Sequence, residues 1–168
     1  MQKVSLYRSP WLRAIVILLC ILLAAFIFVM SAEPATVSGE RSTGIAARIL
    51  AWIFPDLAAG ASDAWLAAVL LADRVLRKTA HFCVYAALGA LLCLASLGFS
   101  APLRRHYRLP LGIGVLYAAS DELHQAFVPG RGPAVGDVAL DGVGVLFGIA
   151  VVLLLARHIW RKKKTNRC

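Results

Sequence analysis

Long apolar runs restrict the fold of this chain more than any other feature. Four of them approach or reach the roughly 20 residues that a helix needs to cross a bilayer; they cover residues 11–31, 79–98, 109–128 and 138–156. Of the 168 residues, 60% are hydrophobic and only 16% are charged, whereas roughly half of a soluble domain is apolar and about a quarter is charged. The sequence therefore predicts an all-α, polytopic membrane protein, with four transmembrane helices in one bundle and a single domain over residues 1–168.

The segment between the first and second runs, residues 32–78, is too polar to span a membrane. Ile45, Ile49 and Trp52 recur at helical spacing, and a second amphipathic stretch follows Ser62, a residue type that caps helix N-termini. Tryptophan favours the boundary between lipid and water. We therefore expect an interfacial helical segment between the first and second membrane helices, with Trp52 and Trp65 as anchors.

Basic residues are sorted along the chain in a way that predicts its orientation. They precede the first run, separate the second from the third, and follow the fourth, as Lys3, Arg8 and Arg13, then Arg104, Arg105 and Arg108, then Arg157, Arg161, Lys162, Lys163, Lys164 and Arg167. Lys and Arg favour cytoplasmic loops, so both termini are predicted to be cytoplasmic and two hairpins to open outward. The net charge of +9 is thus a topology signal. It indicates a lipid bilayer as the partner and no nucleic acid.

Polar residues gather where the last three runs approach the outer side. Lys78, His81 and Tyr85 share one helical face, and the pairs formed by Asp121 with Gln125 and by Asp137 with Asp141 are each one turn apart. Ionisable groups at membrane depth are costly and usually functional. The candidate site comprises Lys78, His81, Tyr85, Asp121, Glu122, His124, Gln125, Arg131, Asp137 and Asp141.

Asp121 is the deepest carboxylate of this set. An unpaired charge there would be costly, so we expect a partner from another helix, with His81 or Lys78 as the candidates. Below Asp141, Gly144 and Gly148 form a Gly-x-x-x-Gly pattern that permits close helix contact.

Residues outside the candidate site are predicted to have plain structural roles. Cys20, Cys83, Cys93 and Cys168 have no disulfide or metal spacing and are interpreted as small buried hydrophobes. His106, in the short basic loop between the second and third runs, is predicted to be solvated.

Three hypotheses for the candidate site stay open from these residues. In the first, it binds an anionic or amide-rich envelope molecule, with Lys78 and Arg131 as cationic contacts. In the second, it is the site of a membrane enzyme, with histidines as general bases or with His124, Asp121 and Asp141 holding a divalent metal. In the third, the polar residues only lock the bundle. No cofactor is evident, although the donor set admits a divalent metal.

The motifs of the candidate site resemble the VanZ-like family of bacterial membrane proteins over about residues 74–150. They are Arg77-Lys78-x-x-His81-Phe82-x-x-Tyr85, Ser120-Asp121-Glu122-x-His124-Gln125-x-Phe127-x-Pro129-Gly130-Arg131 and Asp137-x-x-x-Asp141-x-x-Gly144. The family often has Asn where this chain has Asp141.

The resemblance implies a multi-pass protein of the bacterial cytoplasmic membrane. It also implies a link to resistance against the glycopeptide antibiotic teicoplanin, with which the namesake of the family is associated. The expected partners are accordingly a cell-wall precursor, a lipid-linked saccharide or a glycopeptide. The enzyme hypothesis then becomes a metal- or His/Asp-dependent enzyme that acts on a cell-wall or polysaccharide intermediate.

Overall fold

Helices form nearly all of the chain. The structure, a computed structural model, describes residues 3–4, 9–60 and 62–165, with side chains for 9–60 and 62–160. Its helices are α1 (Pro10–Ser31), α2 (Ala35–Ile53), α3 (Pro55–Ala59), α4 (Asp63–Leu97), α5 (Arg105–Gln125) and α6 (Val135–Thr165). Two short strands, β1 (Lys3–Val4) and β2 (Ala101–Pro102), pair antiparallel. The prediction of an all-α fold is confirmed. Arg8, Arg167, Cys168 and the side chains of Lys3 and of residues 161–164 lie outside the described residues.

Three of the described helices are long and apolar enough to cross a membrane. They are α1, α4 and the Val135–Trp160 part of α6, with mean hydropathies of 3.1, 1.9 and 2.6. The sequence predicted four such helices. Helix α5 is not among them, because Arg108, Asp121 and Glu122 lie within it and lower its hydropathy.

Helix α4 begins where the sequence indicates but is longer than expected. The Ser62 hydroxyl accepts a hydrogen bond of 3.3 Å from the Trp65 amide, which confirms the predicted N-cap. The amphipathic stretch after Ser62 then continues into the second apolar run as one helix of 35 residues. No proline lies between Asp63 and Leu97, so nothing in the backbone interrupts it.

Helix α5 starts before Pro110, and this corrects the prediction for His106. Proline has no N–H to give to the carbonyl of residue 106, and the Cys93 thiol donates to that carbonyl at 3.3 Å instead. The His106 ring is fully buried, with Nδ1 3.2 Å from the Ser96 hydroxyl and Nε2 3.2 Å from the Ala101 carbonyl. His106 is therefore a structural residue that joins α4 to the α4–α5 loop, and the prediction that it is solvated was wrong.

Helices α4 and α6 make the closest contact in the core, through glycines. A Cβ added at Gly148 would collide with the Ala86 carbonyl oxygen, and one at Gly89 with the Val145 carbonyl oxygen. At Gly144 the added atom would lie 2.6 Å from the Phe82 carbonyl oxygen. The close approach predicted from Gly144 and Gly148 is confirmed.

The cysteines follow this packing only in part. Cys20 and Cys93 are buried, as predicted, but Cys83 is exposed. The burial prediction was wrong for Cys83 because α4 packs through the face that carries Tyr85 and Gly89, and Cys83 is on another face.

The two ends of the bundle are each held by contacts between distant segments. At one end, β1 pairs with β2 of the α4–α5 loop, and the Arg13 guanidinium lies 5.3 Å from the centre of the Phe99 ring. At the other end, the Ala35 amide donates to the Pro129 carbonyl at 3.1 Å. The turn after α5 passes through Gly130 with a φ of 75°, a backbone conformation that favours glycine. We call the second end the site end.

Candidate functional site

Asp121 of α5 lies at the centre of a buried hydrogen-bond network at the site end. Its side chain is only 3% exposed. The Tyr85 hydroxyl from α4 donates to Asp121 Oδ2 at 3.1 Å, and Gln125 Nε2, one turn along α5, donates to the same oxygen at 3.2 Å. The other oxygen, Oδ1, has no hydrogen-bond partner among the described residues.

Gln125 extends this network to α1. Its Nε2 also donates to the Ser31 hydroxyl, at 3.3 Å. Both N–H groups of the amide are thereby used, one toward α1 and one toward Asp121. The network therefore joins α1, α4 and α5 through neutral donors around a single carboxylate.

Asp141 of α6 is the most enclosed ionisable side chain of the candidate site. It is 0% exposed, and its Oδ1 lies 3.5 Å from His81 Nδ1. Neither carboxylate oxygen has a hydrogen-bond partner among the described residues, because this separation is at the upper limit for a hydrogen bond. The His81 side chain is 35% exposed, so it links Asp141 to the surface.

The rim of the site is an exposed ion pair. Lys78 Nζ lies 2.9 Å from Asp137 Oδ1, and the side chains are 63% and 38% exposed. Lys78 is on α4 and Asp137 is in the first turn of α6, where the helix dipole favours a carboxylate. The pair therefore lies about one helical turn from His81 and Asp141 on the same two helices.

Glu122 and Arg131 fix the backbone around the site. Glu122 Oε2 accepts a hydrogen bond of 2.9 Å from the Ala134 amide, immediately before α6 begins. Arg131 Nη2 donates to the Ser38 hydroxyl at 3.0 Å and to the Met30 carbonyl at 3.4 Å. Arg131 thus ties the α5–α6 turn to the corner between α1 and α2.

The His124 ring contacts α1. It stacks on Phe28 with centroids 4.5 Å apart, and its Nε2 is buried without a partner among the described residues. The described residues contain no group of three or more His, Cys, Asp or Glu side chains that could hold a metal ion.

The structure thus brings nine of the ten predicted residues into mutual or backbone hydrogen bonds and ion pairs at one end of the bundle; the exception is His124.

The expected partners of Asp121 were wrong: His81 pairs with Asp141, and Lys78 with Asp137. Two residues were missed. Ser31 completes the network, and the buried Asp73 pairs with Arg77 at 3.5 Å; the i, i+4 spacing of Asp73 and Arg77 was the available signal.

Two depressions in the described surface lie away from this polar cluster. One, of about 370 Å³, is at the opposite end and is lined by Arg104, Arg105, Arg108 and Leu109. The other, of about 450 Å³, is an apolar groove between α1 and α5, lined by Ile21, Ala24, Ala25, Phe28, Val29 and Tyr117. Across that groove the Tyr117 hydroxyl donates to the Ala24 carbonyl at 2.6 Å.

The fold and the cluster define an all-helical membrane protein with buried ionisable residues at one end of its bundle. The family model described as VanZ/LLP1 matches residues 16–156. The chain therefore belongs to the VanZ/LLP1 family, and the match extends beyond the motif region on both sides. No curated protein and no solved structure matches the chain.

Proposed function

We propose that this VanZ/LLP1 protein binds an envelope or glycopeptide-related ligand at its site end, on the outer face of the bacterial cytoplasmic membrane. In this proposal it contributes to tolerance of teicoplanin-type antibiotics. One observation carries the proposal: ionisable side chains from α4, α5 and α6 converge at one end, and Lys78, His81 and Asp137 remain accessible there. A ligand that meets this rim encounters one ammonium, one imidazole and one carboxylate, which suits a molecule with both charged and amide groups.

The proposal needs α5 as a fourth membrane span. Its 21 residues give a helix about 31 Å long at 1.5 Å per residue, close to the roughly 30 Å of a hydrocarbon core. Its exposed side chains include Leu109, Leu116 and Leu123, at 53%, 72% and 64% exposure. Asp121, Glu122 and Gln125 are buried in the bundle, which is where ionisable groups of a membrane helix belong.

The length of α4 supports an interfacial position for α2 and α3. Helix α4 has 35 residues and would be about 52 Å long, which exceeds the hydrocarbon core. The part before Lys78 then extends beyond the membrane, and α2 packs against α4. The exposed Trp52 near the end of α2 suits the lipid–water boundary.

Reporter fusions test the orientation. With both termini cytoplasmic, alkaline phosphatase fused after Ala59 or Gly132 should be active, and a fusion after Arg105 should be inactive. The reverse pattern would place the site end in the cytoplasm and would overturn the proposal.

Asp121→Asn tests the ligand function. The amide keeps the shape of the side chain and accepts hydrogen bonds at its oxygen, so the protein should accumulate normally. If Asp121 serves ligand binding, the intact protein should raise the teicoplanin concentration that a susceptible host tolerates, and the variant should lose that gain. Asp56→Asn, on the exposed α3, is the matched control and should keep it.

A second hypothesis, that the polar residues only lock the bundle, is favoured by their mutual pairing. Full tolerance with Asp121→Asn at normal protein level would support it against ligand binding at this residue. Native mass spectrometry of the purified protein adds an independent test: a bound lipid-linked saccharide supports the proposal, whereas a stoichiometric metal ion supports a membrane enzyme.

A further inference from the structure

Three arginines line a depression at the end of the bundle opposite the site end. The depression has a volume of about 370 Å³, and its lining consists of Arg104, Arg105, Arg108 and Leu109. Arg104 directly precedes α5, and Arg105 and Arg108 lie in its first turn. All three arginine side chains are exposed. The volume is within the roughly 300–1,000 Å³ of small-molecule sites, and we call these three residues the arginine cluster.

The arginine cluster has no acidic partner in the described part of the chain. Its three guanidinium groups form neither a hydrogen bond nor an ion pair with the described residues. The sequence itself has no Asp or Glu in residues 1–32, 74–120 or 142–168, which hold the start of α1, the α4–α5 loop and the end of α6. The next acid after the cluster is Asp121, about 20 Å further along α5 at 1.5 Å per residue. An anion that pairs with the cluster therefore comes from outside the described residues.

The backbone that carries the arginine cluster is held in place by its neighbours. His106, within the same segment, is fully buried, and its two ring nitrogens lie 3.2 Å from the Ser96 hydroxyl and 3.2 Å from the Ala101 carbonyl. Strand β2, just before the cluster, pairs with β1. A site whose backbone is ordered before binding loses less conformational freedom when a ligand arrives. The exposed arginines are thus attached to a fixed base.

The residue types at this depression indicate a phosphate that is attached to a hydrocarbon chain. The α4–α5 loop and the first turn of α5 contain three arginines and no lysine. A topology signal needs only positive charge, which lysine also supplies, whereas the planar guanidinium binds two phosphate oxygens at once. Leu103 and Leu109, on either side of the cluster in sequence, are 51% and 53% exposed. Apolar surface therefore accompanies the charges, as a phospholipid requires.

We propose that the arginine cluster binds the phosphate-bearing headgroup of an anionic phospholipid, with Leu109 against the first part of an acyl chain. In the proposed orientation the cluster faces the cytoplasmic leaflet, whose anionic lipids attract basic residues near the membrane surface. A lipid bound there holds the start of α5, which is the least apolar of the four proposed spans. The site lies at the other end of the bundle from Lys78, His81 and Asp137, so it goes beyond the proposed function and does not rest on the ligand proposed there.

Native mass spectrometry of the purified full-length protein tests the lipid site. The protein is kept in a neutral detergent, which removes any effect of membrane orientation, and is titrated with phosphatidylglycerol. A variant that combines Arg104→Gln, Arg105→Gln and Arg108→Gln should bind this lipid on the order of 100-fold more weakly, given the contribution of each basic residue near an anionic lipid surface. The corresponding triple Lys variant should lose less, because it keeps the charge and loses only the guanidinium geometry.

The matched control removes the same charge from other exposed arginines. A variant that combines Arg48→Gln, Arg74→Gln and Arg157→Gln should bind phosphatidylglycerol as the wild type does. Equal affinity of the cluster variant and the wild type, or an equal loss in the control variant, would overturn the site. Zwitterionic phosphatidylcholine should bind more weakly than phosphatidylglycerol, and equal affinities would also overturn it. Inorganic phosphate separates the two sources of the anion: if it binds as tightly as the lipid, the lipid proposal is wrong.

The wild type alone decides the case in which the cluster variant fails to accumulate. Exposed guanidinium groups are screened by salt, so the affinity for phosphatidylglycerol should fall as the ammonium acetate concentration is raised. An affinity that salt does not change would overturn a site built on these charges. All of these outcomes are independent of the teicoplanin assay, because the cluster and the site end are at opposite ends of the bundle. Loss of tolerance in Asp121→Asn would therefore leave the lipid site as it stands.

Discussion

The two halves of the α4–α6 interface are built by opposite means. In the half farther from the site end, Gly89 and Gly148 bring the two backbones into direct contact. Toward the site end, the same two helices face each other through Lys78 with Asp137 and His81 with Asp141. Packing of small residues needs no polar partner, whereas each polar side chain needs one. The glycine half can therefore hold α4 against α6 without the polar half.

The largest effect is expected in the glycine half. Gly148→Ala would place a methyl group onto the Ala86 carbonyl, and α6 would have to move away from α4. Overpacking of this kind costs about 1–3 kcal/mol or more, so the thermal unfolding temperature in detergent should fall sharply and accumulation should decrease. Gly112→Ala is the control, because nothing lies within 4 Å of its added Cβ. Equal stability of the two variants would show that the helices are not in contact at Gly148.

An intermediate effect is expected from the buried network. Tyr85→Phe removes the donor to Asp121 but keeps the ring that packs in the core. Asp121 Oδ2 would keep the Gln125 donor, and the loss of one hydrogen bond typically costs about 0.5–1.5 kcal/mol, which thermal unfolding should detect. Tyr107→Phe on a partly exposed part of α5 serves as the control and should change little. A Tyr85→Phe protein as stable as wild type would mean that this hydrogen bond does not stabilise the fold.

The smallest effect on stability is expected at the rim. Lys78→Met breaks the exposed pair with Asp137, and exposed pairs contribute about 0–1 kcal/mol. Its contribution should also shrink as salt is raised. Unfolding curves at low and high salt provide the measurement. A large loss of stability that salt does not reduce would place Lys78 with the buried network and not at an open rim.

Helical periodicity predicted that the residues of this site converge, but not which of them pair with one another. The spacing of Lys78, His81 and Tyr85 gives a common face, and the alternation of helix direction gives a common end. Which residue of α4 lies beside Asp121 depends on how far α4 slides along α5. The glycine contacts with α6 help to set that position, so Tyr85, and not His81 or Lys78, lies beside Asp121.

The roles of Ser31 and His106 could not be predicted from the sequence, because they depend on contacts between separate segments of the chain. The site role of Ser31 depends on the meeting of α1 and α5, whose contact residues are 94 positions apart. The burial of His106 depends on the missing amide of Pro110 and on a two-residue strand pair. The strong signals were local: the cap at Ser62, the Gly144–Gly148 pattern and the apolar runs.

The order in which the chain is synthesised decides when the hydrogen bond between Arg131 and Met30 can form. The two residues are 101 positions apart, and the rim pair of Lys78 with Asp137 is 59 positions apart. In the proposed orientation, α1 and α4 enter the membrane before their polar groups have partners. The insertion machinery or water must satisfy those groups until α6 emerges from the ribosome. The site end is therefore the last part of the protein to close during biosynthesis.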